Sequence, residues 1–165
     1  MNVKYKRFVA VFINALLIFL LALFRYSGVA TFRLGEAVPI VLLPVIIAIS
    51  MYFGDNATIL AALFAGVLMD SMSADSSWYN TVFFVIAAAV CNFLSSRFLN
   101  RNLKAAAYIT LIVSLFYFFL KYLIFFVFGG ISVNYDYFLL YLIPSVVYTA
   151  AFIVPFYFLE KKLSQ

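Results

Sequence analysis

The sequence predicts an all-α integral membrane protein: six transmembrane helices in one compact bundle, with both termini cytoplasmic. Three observations predict it. The chain of 165 residues is 68% hydrophobic, 21% aromatic and only 10% charged, where soluble domains carry about 25% charged residues. Apolar runs recur at lengths near the roughly 20 residues that a spanning helix needs. Lysine and arginine gather at alternate junctions between those runs. No polar region is long enough for a separate catalytic domain, so residues 1–165 read as a single membrane domain. An outer-membrane barrel does not fit, because its strands alternate over about ten residues, whereas Phe116–Phe128 is almost continuously apolar.

The first span is expected at 7–24, behind Lys4, Lys6 and Arg7. A basic start followed by an apolar run also suits a secretory signal, with Gly28-Val29-Ala30 as a small-residue cleavage site. The run exceeds the usual signal length, and cleavage would upset the charge asymmetry described below, so an uncleaved helix is the preferred reading. The second span is expected at 37–53. Pro39 lies in its first turn, where a missing N–H costs little; Pro44 lies in its interior and predicts a kink. Gly54-Asp55-Asn56 makes a tight turn, with Asp55 or Asn56 as the cap of the third helix.

The third span, 56–69, is short, and a run of that length also suits a re-entrant segment. A polar stretch, Asp70–Ser77, separates it from the fourth span, 78–94, which Trp78 and Tyr79 open as an aromatic anchor at the outer interface. The fifth span, 105–128, ends at Gly129-Gly130. The sixth, 137–159, follows a last outer loop containing Asn134 and Asp136.

Charge decides between the topologies. With six spans, Lys4, Lys6, Arg7, Arg97, Arg101, Lys104, Lys161 and Lys162 share one side; Arg25 and Arg33 take the other, and Lys121 lies within a span. Omitting the third span would put the large basic clusters on opposite faces. The positive-inside rule therefore supports the full count and places both termini in the cytoplasm. Membrane orientation accounts for the net charge of +5 without nucleic acid, and the basic clusters suit anionic membrane lipid.

Little here points to catalysis. There is no histidine, and Cys91 is the only cysteine, which removes imidazole acid–base chemistry, most zinc sites and any internal disulfide. No phosphate-binding glycine loop and no pair of carboxylates at a useful spacing occurs. No catalytic, cofactor-binding or metal-binding residue is expected, and the chain reads as non-enzymatic. No span carries the polar stripe of a channel or permease.

The candidate residues are structural or interfacial. Ala57, Ala61 and Ala65 recur at four-residue spacing, with Ala62 and Gly66 on the neighbouring row. Small residues at that spacing let helix backbones approach closely in lipid. The face serves either a subunit interface or packing inside the bundle, and the shortness of the third span favours packing. Lys121 lies about seven residues, or roughly 10 Å, before the outer end of the fifth span. A charge at that depth faces a partner or snorkels to the headgroups. Asp70 is its natural partner, with Asp75 and Asp136 behind. Asn14, Asn80 and Asn92 are expected to bond between helices.

One set of residues carries a family resemblance. Pro39 opens the second span, and the third ends in Gly66-Val67-Leu68-Met69-Asp70, close to a Gly-Leu-Leu-x-Asp pattern. A polar loop follows, and Asn80 then heads the fourth span. The stretch 39–97 resembles MreD, the rod shape-determining membrane protein family of bacteria. Trp78 stands where that pattern commonly has glycine, and Ile40 where it often has aspartate. The resemblance implies a non-enzymatic membrane scaffold of the cell-elongation complex that builds lateral peptidoglycan, resident in the bacterial cytoplasmic membrane. It implies as partners an MreC-like bitopic protein, an MreB-type filament, RodA and a class B penicillin-binding protein. It also makes Gly66, Asp70 and Asn80 the residues that set the architecture around the polar outer loop. The six-helix fold is similar as well to the substrate-binding S component of energy-coupling-factor vitamin transporters, which supplies the alternative. Ala10, Ala15 and Ala22 do not give the Ala-x-x-x-Ala spacing usual on the first helix of such subunits, although Arg25–Glu36 is long enough to cover a ligand.

Overall fold

The computed structural model describes residues 3–26, 37–53, 55–73, 78–97, 102–124 and 138–164, and nearly all of them are helical. Helix α1 spans Val3–Tyr26, α2 Leu42–Tyr52, α3 Asp55–Met72, α4 Tyr79–Arg97 and α5 Leu103–Tyr122. A π-helical turn, Phe138–Leu142, leads into α6, Ile143–Ala151, and then α7, Ile153–Ser164. Among the described residues, four helical stretches are long and apolar enough to cross a membrane: Phe8–Tyr26, Tyr79–Arg97, Leu103–Tyr122 and Leu140–Ser164. Two shorter apolar helices, Leu42–Tyr52 and Asn56–Met72, accompany them. This is the architecture of an all-α membrane protein.

The second expected span differs most from its sequence reading. Its first part, 37–41, is not helical, and α2 begins only at Leu42. Pro44 therefore sits in the first turn of α2, where its missing N–H has no intrahelical acceptor to lose, and the predicted mid-helix kink does not arise. Every residue from Leu42 to Met51 is buried. A helix that is apolar all round belongs in the interior, and α2 packs against each of the other helices as the pillar of the bundle.

Helices α3 and α4 form the most extensive pair. Small residues make this possible: Ala62, Ala65 and Gly66 of α3 are buried, as are Ala87, Ala88 and Cys91 of α4. Helix α3 runs a turn beyond the expected end at 69. Helix α5 starts at a conventional cap, where Asn102 accepts the Ala105 N–H at 2.7 Å.

The last helical stretch is interrupted at Phe152, whose N–H turns back to the Thr149 carbonyl at 3.2 Å. Pro155 lies three residues on. It supplies no N–H to the Ala151 carbonyl and crowds it, which accounts for the break.

Helix α1 is the most peripheral. It buries Ala10, Asn14, Ile18 and Ala22, a single four-residue stripe, and packs chiefly on α3. Phe8, Phe12, Phe19 and Phe24 on its other faces are exposed.

Candidate functional site

Gly66, Asp70 and Asn80 converge where the end of α3 meets the start of α4. The approach begins at Gly66. A Cβ placed there would stand 2.4 Å from Thr81 Cα, 2.9 Å from Thr81 N and 3.2 Å from the Asn80 carbonyl oxygen. All three are backbone atoms, so no side-chain rotation makes room. Only glycine allows the two helices to lie this close.

One turn further along α3, Asp70 faces the exposed amides of α4. Its Oδ1 accepts the Asn80 backbone N–H at 3.1 Å and the Asn80 Nδ2 at 2.8 Å. Its Oδ2 accepts the Thr81 backbone N–H at 2.8 Å and the Thr81 hydroxyl at 2.5 Å. Asn80 and Thr81 are the second and third residues of α4, the positions that an N-cap side chain normally serves. Trp78 occupies the cap position, and its indole offers no acceptor. Asp70 thus caps α4 from another helix, with its negative charge at the positive end of the helix dipole.

The network continues into α5. The Tyr117 hydroxyl donates to Asn80 Oδ1 in a short hydrogen bond, and the Tyr79 hydroxyl donates to the Tyr117 carbonyl at 2.6 Å. Tyr117 is 1% exposed. Its ring is held by Phe83 edge-on at 5.0 Å, by Tyr79 at 5.3 Å and by Phe118 at 5.5 Å. These contacts aim the hydroxyl at Asn80 while contributing apolar burial. Among the described residues the two Asp70 oxygens accept four hydrogen bonds, which join α3 to α4, and the Tyr117–Asn80 bond adds α5.

The other expected residues fall elsewhere. Lys121 is half-buried in the last turn of α5; among the described residues, the four hydrogen bonds that Asp70 accepts come from Asn80 and Thr81. The acceptor capacity of Asp70, which the sequence reading offered to Lys121, is directed at the amides at the start of α4, which lack intrahelical acceptors. Asp75 and Asp136 lie outside the described residues, as do 27–36 and 125–137. Trp78 is 71% exposed, while its neighbour Tyr79 turns inward to Tyr117, so of the expected aromatic anchor only Trp78 faces outward.

Pro39 is buried in the non-helical segment before α2. Its carbonyl accepts Arg25 Nη1 at 2.7 Å. On either side, the Val38 N–H donates to Ser145 Oγ and the Ile40 N–H to Thr149 Oγ1, each at 3.1 Å. Non-helical backbone among apolar helices is tolerated only where the protein satisfies it, and Ser145 and Thr149, one turn apart on α6, do so.

The alanine face divides. Ala65 is fully buried within the bundle, whereas Ala57 and Ala61 are half-buried and line a cavity of about 390 Å³ beside α1. Asn14 also lines it and forms an interhelical bond as expected, donating from Nδ2 to Glu160 Oε2 at 3.1 Å.

Sequence reasoning missed Thr81, Tyr117, Ser145, Thr149 and Glu160. The last three carried a signal. Ser145, Thr149, Ile153, Phe156 and Glu160 recur at three- and four-residue steps and are all buried, so the helical phase of the final run places Glu160 on its inward face. Nothing in the sequence marked Tyr117 among so many aromatics. No protein-family model, curated protein or solved structure matches the chain.

Proposed function

We propose that this chain is a non-enzymatic membrane scaffold of the bacterial elongation machinery, of the MreD type. It crosses the cytoplasmic membrane six times with both termini inside. It holds an MreC-like bitopic protein, an MreB-type filament, RodA and a class B penicillin-binding protein in register during lateral wall synthesis.

The observation that carries the reading is the meeting of Gly66, Asp70 and Asn80 at one junction. These are the residues on which the resemblance rests, and their contacts are architectural. The close approach at Gly66, the Asp70 cap and the Tyr117–Asn80 bond make a rigid corner, as a docking platform requires. The exposed apolar face of α1 offers surface for helix-to-helix recognition.

The test is affinity purification of the full chain from mildly cross-linked native membranes, with mass spectrometry of what is captured. An MreC-like bitopic protein together with cell-wall polymerases is the expected result. Capture of paired ATPases with a membrane coupling subunit would replace the reading with a vitamin-transporter S component. Recovery of neither set would sink it.

A further inference from the structure

Between α1, α2 and α3 lies a cavity that the scaffold reading leaves without a role. Its volume, about 390 Å³, is within the range of about 300–1,000 Å³ typical of small-molecule sites. Asn14 apart, every side chain that lines it is apolar. Val11, Leu60 and Phe64 of the lining are also exposed on the outside of the bundle. The cavity therefore opens sideways, onto the hydrocarbon of a surrounding bilayer. Its dimensions select among occupants. The lining runs from Val11 to Ile18 along α1 and from Ala57 to Phe64 along α3, which is about 10 Å at 1.5 Å per residue. Spread over that length, the volume gives a cross-section of about 40 Å², at most about half that of a helix with its side chains, about 10–12 Å across. A transmembrane helix of a partner or of a second copy is too thick to enter, whereas a hydrocarbon chain is not.

The position of the cavity along the bundle adds a charge argument. The Tyr26 hydroxyl donates to the Met69 carbonyl at 3.1 Å, so the last turn of α1 meets the end of α3 and the two helices run parallel. The cavity lies toward their other end, beside the turn that joins α2 to α3. Asn14 meets Glu160 at this level, which brings the end of α7 to the same side. The sequence there holds Lys4, Lys6, Arg7, Lys161 and Lys162 against two acids, Asp55 and Glu160. Arg7 stands one helical turn before Val11.

We propose that this cavity holds an acyl chain of an anionic phospholipid, with the chain against Ala57 and Ala61 and the phosphate at the level of the basic first turns of α1. Lipid tails are as apolar as these walls, so burial alone selects nothing. An empty cavity forfeits the contacts its lining would otherwise make, and a filled one completes the packing of α1, the least buried of the four long spans. The headgroup supplies the selectivity, through attraction to the basic end. That this lipid belongs to the cytoplasmic leaflet rests on the orientation proposed above; the site itself does not.

The full chain in nanodiscs of mixed phosphatidylcholine and phosphatidylglycerol is labelled with a trace of phosphatidylglycerol that carries a diazirine in its acyl chain. Adducts are then mapped by mass spectrometry. Nanodiscs have no inside and no partner protein is present, so failure of the scaffold reading leaves the outcome untouched. Adducts are expected on 11–18 and 57–64 in excess over the exposed α5 positions Ile112 and Leu115. Unlabelled phosphatidylglycerol should displace them about tenfold better than phosphatidylcholine of equal chain length. Ala61→Leu, which fills the cavity, should remove the excess, and protection of the buried Cys91 from maleimide shows that the bundle is intact. Equal labelling of the cavity and the α5 face on the unaltered chain would overturn the proposal whatever the variant does. Equal displacement by the two lipids would overturn it too.

Discussion

Gly66 and Thr81 hold the backbones of α3 and α4 so close that a methyl group on the glycine would stand 2.4 Å from Thr81 Cα. That contact fixes the geometry of everything around it. The Asp70 cap lies one helical turn beyond Gly66 on α3, and its distances depend on the helices staying together.

Gly66→Ala should therefore destabilise the protein by about 1–3 kcal/mol, the usual cost of overpacking a filled interior. The gain in helix propensity from alanine, about 1 kcal/mol, only partly offsets it. Cys91 is fully buried on α4 and is the chain's only thiol, so maleimide labelling along a denaturant titration reads the loss directly. An unchanged midpoint would show that the helices separate at no cost.

Removing the cap should act on α4 alone at first. Asp70→Ala is expected to cost about 0.5–2 kcal/mol, as loss of an N-cap does. It should also speed hydrogen exchange at the Asn80 and Thr81 amides, which now donate to the carboxylate. Exchange at Ala105 serves as the control, because its N–H is capped locally by Asn102. Equal acceleration at all three sites would point to global loosening instead of a lost cap.

Tyr117 and Asn80 should prove coupled. Tyr117→Phe leaves Asn80 Oδ1 without its buried donor, a change worth about 1–3 kcal/mol. In a double-mutant cycle with Asn80→Ala, contacting residues show coupling of about 0.5–3 kcal/mol. Additive losses would mean the two side chains contribute separately.

Lys121→Met should leave the α4 amides as protected as in the parent chain, because the partners of Asp70 lie in Asn80 and Thr81. Combined with Asp70→Ala, its effect should add to within about 0.3–0.5 kcal/mol, as for independent sites. Strong non-additivity would restore the ion pair expected from the sequence.

Much of the site was legible because some residue types have few uses. A glycine among alanines in an apolar run marks a close approach, and an aspartate at the end of such a run must find donors. Residue type marked Gly66, Asp70 and Asn80 one by one, and it was the family resemblance that grouped them. Sequence reasoning did not foresee the Asp70 cap, because Lys121 is conspicuous in sequence while a backbone N–H at a helix start is not. Glu160 was overlooked because it stands beside two lysines and reads as part of a solvated end, although the helical phase places it inward.

By itself the sequence determined that this chain is a set of apolar helices for a bilayer, since composition and run length alone decide which segments leave water. It also marked the small residues of the third span as a packing face, of which Ala65 and Gly66 are buried while Ala57 and Ala61 line a cavity. Tertiary structure alone decided that 37–41 is not helical, that α2 is the buried pillar, and that Asp70 serves α4. The reason is that backbone groups near a helix end or in an extended segment take whichever partners the fold brings within about 3 Å. Those partners (Ser145, Thr149 and Arg25 for the segment, Asp70 for the helix) lie far along the chain or on another helix.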